Sequence, residues 1–188
     1  HARLGALGLP ASAFYTPHGG ALHFSSNSPA GFVFHTLEKL LVPASKKIIF
    51  ESAYAQRTYN DAITQVGPRG IVIHNGLDEA EFTAVPSDDS FDFVFVGELR
   101  DLKGVAYLLD AFAALCKESN EPLRLLLIGD GPHRAQFEEQ AKSLKIADQV
   151  VFAGAMPAQY GFERARTVIV PSLKESLPYI VMEAVAAG

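Results

Sequence analysis

The sequence is short of the residues that build disulfides, metal cages and membrane spans, and each shortage removes a class of protein. Cys116 is the single cysteine among 188 residues, so no intrachain disulfide can form. That usage suits a reducing compartment. Cys116 itself lies in a helical pattern, LLDAFAALCK (108–117), and reads as a packed residue. No apolar stretch approaches the roughly 18 residues that a membrane-spanning helix needs. No stretch has the layout of a signal peptide, although the chain starts at His1 without a methionine. Apart from His18, the histidines (His1, His23, His35, His74 and His133) fall at no metal-ligand spacing. No G-x-G-x-x-G follows an apolar run, which argues against a dinucleotide-binding or flavodoxin-like domain. Positive charge is also scarce. Sixteen Lys and Arg against 21 Asp and Glu leave a net charge of −5, so a nucleic-acid backbone is excluded as the main partner.

What remains is an ordinary globular composition, 48% hydrophobic and 20% charged, with room for one large domain or two small ones. From residue 91 short apolar runs alternate with helical patterns. Strands are expected over 91–99, 123–131, 149–154 and 167–172, and helices over 105–117, 134–145, 158–166 and 178–187. Runs of four to eight residues that are apolar on both faces, separated by helices, predict right-handed βαβ units and a parallel sheet. The first half repeats the scheme less regularly, with strands at 12–17, 46–51 and 70–75 and helices at 32–43 and 52–63. Between the halves, LDEAEFTAVPSDDS (77–90) is acidic and polar and reads as a linker or crossover.

In an open parallel sheet, ligands gather at the carboxyl ends of the strands, near helix N-termini. Several informative residues follow strands. Glu175 and Glu183 stand eight apart, about 80° round a helix and about 12 Å along it, too far apart to grip one small group. Pro178 places the helix start between them, with Pro178 in the first turn and Ser176 as the cap. The pair reads either as a surface glutamate and one paired elsewhere, which spacing alone favours, or as two contacts on an elongated ligand, with a hydroxyl-rich group at each carboxylate and an anion at the N–H groups between. A nucleoside diphosphate sugar is such a ligand. Arg100 and Lys103 follow the strand in GELRDLKG (97–104) and read equally as two solvated surface cations or as an anion site, since a cation at a helix start opposes the macrodipole unless an anion joins it. Gly129 and Gly131 form a strand–turn–helix junction in IGDGP (128–132), and tight-turn chemistry alone explains such a pattern well. His18 ends a strand in YTPHGG (15–20), where Gly19 lets backbone approach a ligand closely.

Taken together, YTPHGG, VIHNGLDEAEF, FVFVGELRDLKGVAYLLDAF, LLLIGDGPHRAQFEEQAKSL, VVFAGAM and VPSLKESLPYIVMEAVAAG resemble, in order and spacing, the retaining glycosyltransferases of family four, which have the GT-B fold. The resemblance implies an α/β protein of two Rossmann-like parallel-sheet domains, both incomplete. Residues 1–85 would be part of the acceptor-side domain and 86–188 part of the donor-binding domain. It implies that Glu183 holds ribose hydroxyls, that Glu175 contacts the donor sugar, and that Arg100 and Lys103 neutralise the diphosphate. It further implies that His18 lines the cleft with Gly19, Gly129 and Gly131, and that no metal or other cofactor is needed.

Two departures modify that picture. Glu98 follows Gly97, and Arg100 comes two places later than the family's usual arginine. Where the family often has Gly-Phe-Gly, this chain has Ser176-Leu177-Pro178, so the phosphate would use the N–H groups of Leu177 and Tyr179. The sequence reads as a piece of a longer enzyme, expected to be inactive alone. The partners implied are a nucleotide-sugar donor and a glycan or lipid-linked acceptor, in the cytoplasm with peripheral membrane association. A nucleotide-sugar epimerase of the same fold and a non-catalytic nucleotide-sugar-binding module remain alternatives.

Overall fold

The computed structural model describes residues 2–6, 9, 11–17, 28–82, 84, 86, 88, 90–175 and 177–188. It divides into two compact units, 1–76 and 77–188. Both are α/β with parallel sheets, as the apolar runs require.

The first unit contains α1 (Ala2–Gly5), β1 (Phe14–Tyr15), α2 (Pro29–Leu41), β2 (Lys47–Phe50), α3 (Ala53–Ala62) and β3 (Gly70–Val72). Its strands run parallel in the order β1-β2-β3, with Ile49 opposite Ile71. Helix α2 starts three residues before the expected position. Pro29 suits a first helical turn, and Ser28 caps it by accepting from the Gly31 N–H at 3.0 Å. Ser52 caps α3 in the same way through the Ala55 N–H. Ile48, Phe50 and Tyr59 form the core.

That core contains a charge. Glu38 lies on the buried side of α2, where an unpartnered carboxylate would be costly. Arg3 answers it at 2.5 Å, and Tyr15 and Tyr59 donate their hydroxyls to it at 3.2 and 3.1 Å. Burial, then the Glu38 charge, push the Tyr15 hydroxyl up to about 12 and raise Tyr59 further.

The second unit contains β4 (Phe91–Val96), α4 (Val105–Glu118), β5 (Leu125–Ile128), α5 (Arg134–Ser143), β6 (Val150–Gly154), α6 (Ala158–Phe162), β7 (Ala165–Val168) and α7 (Tyr179–Ala187). All four strands are parallel, in the order β6-β5-β4-β7. Side chains alternate between faces, so Phe95, Leu125 and Leu127 pack with Leu109, Phe112 and Phe137 of α4 and α5. Val94, Leu126 and Ile128 pack on the other face, with Ala165 and Tyr160. Both faces are covered, which explains why these strands show no polar alternation.

Several boundaries of the second unit differ from the sequence expectation, β7 among them at Ala165–Val168 rather than 167–172. The helix expected to reach 166 ends at Phe162, since Ala165 and Thr167 pair with Phe91 and Phe93 of β4. Strand β5 stops at Ile128 because Gly129 leaves the ladder to bridge Gly154 in the antiparallel sense. Strand β4 stops at Val96, and the next residue bends away.

Candidate functional site

Strands β5 and β6 lie to one side of β4 and β7 lies to the other. At such a reversal the loops leaving the two central strands diverge, and a crevice opens at their carboxyl ends. Here it is a cleft of about 320 Å³. Phe95, Val96 and Lys103 line it from the β4 side, and Val170, Ser172 and Glu175 from the β7 side. Leu177, Pro178, Tyr179, Ile180 and Glu183 complete it at the start of α7.

Lys103 owes its position to a tight backbone joint. It ends a single 3-10 turn, Asp101–Lys103, and Gly104 follows at φ 69°, in the left-handed region. A Cβ on Gly104 would stand 2.1 Å from the Pro171 carbonyl oxygen, so only glycine allows the loops after β4 and β7 to touch. The Leu173 N–H donates to the Leu102 carbonyl at 3.0 Å and fastens the same pair of loops. Held this way, the Lys103 ammonium donates to Glu175 Oε1 inside the cleft. The two side chains are 33% and 25% exposed, so the pair is partly shielded from water.

Helix α7 opens into this space. Pro178 occupies its N-cap position and no side chain caps it. This corrects the expected start: Pro178 precedes the first turn rather than belonging to it, and the cap position is not that of Ser176, which lies outside the described residues. The first N–H groups of a helix have no intrahelical acceptor; here the Pro178 carbonyl accepts from the Val181 N–H at 3.2 Å, and the residue has no side-chain oxygen to offer the N–H groups that follow it. Glu183 lies one turn in, facing the cleft. Among the described residues it makes no hydrogen bond or ion pair. Burial, and then the nearby Glu81 carboxylate, push its own carboxyl above the usual glutamate range.

The structure thus gathers Lys103, Glu175, Leu177, Tyr179 and Glu183 around one cleft. Arg100 is not part of its lining. Its guanidinium reaches back to Glu98 at 3.3 Å, the residue that displaces the family's usual arginine. Gly129 and Gly131 do not line it either. Gly129 has φ 132°, and a Cβ there would stand 1.9 Å from the Gly97 oxygen; at Gly131 the Leu99 oxygen is 2.5 Å away. These glycines let the β5 turn cross the β4 loop. His18 and Gly19 lie outside the described residues. Ser172 and Glu81 were not singled out from the sequence. The first follows β7 as Lys103 follows β4, and that position was the one signal for it. Glu81 precedes the sheet, and nothing local ties it to Glu183.

Among the described residues, no group of three or more His, Cys, Asp or Glu is disposed to hold a metal ion. Among them too, no helix is long and apolar enough to cross a membrane.

The chain resembles several known proteins. It is 28% identical over 174 residues to a glycosyltransferase of Haemophilus influenzae whose role is uncharacterised, covering 88% of this chain and 47% of that protein. It is 33% identical over 89 residues to the alpha-monoglucosyldiacylglycerol synthase of Streptococcus pneumoniae, covering 46% of this chain and 20% of the synthase. Its fold matches that of Anabaena HepE, solved in complex with UDP and glucose, with a TM-score of 0.83 and 20% identity over 99% of this chain and 53% of HepE. The chain therefore spans about half the length of the Haemophilus relative and of HepE. The glycosyl transferases group 1 profile matches residues 78–188, the whole of the cleft-bearing sheet, and the chain belongs to that family.

Proposed function

We propose that this chain carries the donor site of a retaining glycosyltransferase that moves a sugar from a nucleoside diphosphate sugar to an acceptor hydroxyl. The observation that supports the reading best is the cleft where β4 and β7 part. It holds one ammonium, two carboxylates and an uncapped helix start within about 320 Å³. An ammonium and free N–H groups suit a diphosphate, and carboxylates suit the hydroxyls of a sugar.

In this reading Glu183 accepts hydrogen bonds from the ribose. The diphosphate lies between Lys103 and the Leu177 and Tyr179 N–H groups, and Glu175 orients the transferred sugar. Arg100 approaches the diphosphate only by leaving Glu98. The family resemblance assigns His18 to the donor sugar. The bond from the anomeric carbon to the phosphate oxygen breaks, and the acceptor oxygen attacks that carbon from the same face. Its proton passes to the departing phosphate, so configuration is retained. Lys103 and the helix N–H groups stabilise the charge growing on the nucleotide, which is the electrostatic work such a step needs. No metal or other cofactor is assigned a role.

The acceptor we propose is a glycan or a lipid-linked sugar, reached from the cytoplasm by peripheral membrane contact. The pneumococcal relative is by name a glycolipid synthase. UDP is the first nucleotide to test, because HepE was solved with it.

The test is calorimetry of UDP, GDP and ADP with the protein and its Glu183→Ala variant. One nucleotide should bind, and the substitution should weaken it by about ten- to a hundredfold, the value of one hydrogen bond to a charged group. Binding of none, or binding indifferent to Glu183, would overturn the assignment.

A further inference from the structure

In the first unit, at the end of the sheet where its strands begin, lies a cleft of about 400 Å³. Three segments build it, each leading into one strand: Ala11–Ala13 into β1, Pro43–Lys46 into β2, and Arg69 into β3. The Lys46 N–H donates to the Ala13 carbonyl at 2.8 Å and ties two of them together. Its charged lining groups are both cationic, Lys46 and Arg69, with no carboxylate among the lining residues. Neither side chain forms an ion pair or hydrogen bond with a described residue. The neighbouring Lys47 is already used, donating to the Pro68 carbonyl at 2.8 Å.

Ser45 supplies an independent sign. It lines the cleft and is only 2% exposed, yet its Oγ has no hydrogen-bond partner among the described residues. A buried hydroxyl without a partner is uncommon and costs stability. A change of χ1 rotamer is enough to redirect it. Two cations without counter-charges and one unsatisfied donor, on a chain of net charge −5, form a local exception to the protein's own electrostatics.

We propose that this cleft is an anion-binding site that takes a phosphate group, held by Lys46, Arg69 and the Ser45 hydroxyl. It is separate from the donor cleft, which is built entirely from residues of the other unit. Arginine suits such a group through paired N–H donors, lysine through a point charge. The phosphate belongs either to a small soluble ligand or to a lipid headgroup.

The probes are inorganic phosphate and vesicles of phosphatidylglycerol, with phosphatidylcholine vesicles as the neutral control. Amide resonances of Ser45, Lys46 and Arg69 should shift saturably with phosphate. The Lys46→Ala/Arg69→Ala double variant should weaken that binding at least tenfold, and Lys103→Ala should leave it unchanged. Ser45→Ala keeps the readout independent of folding, since it removes the orphaned hydroxyl: it should fold as well as the parent and still bind phosphate more weakly. Sedimentation with phosphatidylglycerol vesicles that is lost in the double variant identifies a headgroup. Phosphate binding without vesicle binding identifies a soluble ligand. The proposal is overturned if neither probe binds, or if binding ignores Lys46, Arg69 and Ser45.

Discussion

Replacing Glu175 with glutamine should tighten the binding of UDP, although Glu175 belongs to the proposed donor site. In the cleft Lys103 is already engaged, its ammonium donating to Glu175 Oε1. A diphosphate must take Lys103 from that partner before it can use the charge. With side chains 33% and 25% exposed, the pair lies between two regimes. Fully exposed pairs contribute up to about 1 kcal/mol, and breaking a buried one costs about 3–5 kcal/mol. A value of about 1–2 kcal/mol is reasonable here. Glutamine keeps the shape and loses the charge, so that competition disappears and UDP should bind about five- to thirtyfold more tightly. The same substitution weakens the hold on the sugar, so a UDP-sugar should gain less than UDP, and transfer should slow. Calorimetry with UDP on the parent, Glu175→Gln, Lys103→Ala and the double variant completes a thermodynamic cycle. With Lys103 absent, the glutamine substitution should lose most of its effect. Unchanged or weaker UDP binding by a folded Glu175→Gln variant refutes the reasoning, because the ion pair then holds nothing back.

Other outcomes follow from the same geometry. Nucleotide binding should weaken as pH falls through the raised pKa of Glu183, above the usual glutamate range, because the carboxylate accepts from ribose hydroxyls more strongly than the neutral acid does; titrating the affinity against pH tests this. For stability the sign is reversed. A raised folded-state pKa favours folding at low pH, and that contribution is lost as pH rises through it, so Glu183→Gln should raise the melting temperature near neutrality and not in acid. Gly104→Ala should cost about 3 kcal/mol or more in a denaturant titration, since its Cβ would meet the Pro171 oxygen at 2.1 Å from a left-handed backbone. Tyr59→Phe should cost about 1.5–3 kcal/mol by the same method, through one lost hydrogen bond to the buried Glu38 carboxylate.

The sheet was legible because its strands are buried on both faces. FDFVFV and LRLLLI carry no polar residue in the stretches that ladder together, apart from Asp92 and Arg124 at the entry. The boundary of α6 was not legible. ERAR reads as a helical tail until β4 is known to need a partner at Ala165 and Thr167. The site shows the same division. Strand-end position pointed to Lys103, Glu175 and Glu183 because a parallel sheet sends its loops to one edge. Their mutual arrangement was hidden. Lys103 and Glu175 stand 72 residues apart, and nothing near either one shows that they neutralise each other. Arg100 was assigned to the diphosphate, although a nearby acidic residue competes for it. Glu98, two residues away, now holds that guanidinium.

The strand order also carries a consequence for when the cleft exists. Strands β4, β5 and β6 are neighbours in both sequence and space, so each can join the sheet soon after it is made. Strand β7 must return across the whole of that assembly to reach the free side of β4. Such long returns form late and open early, because their closure entropy is largest. Both carboxylates of the cleft ride on the segment that follows β7. A fluctuation that detaches this one edge erases the cleft and leaves the three-stranded core standing. The lifetime of the site is therefore shorter than the lifetime of the fold, and a ligand that bridges Lys103 to Glu183 would protect the edge before it protects anything else.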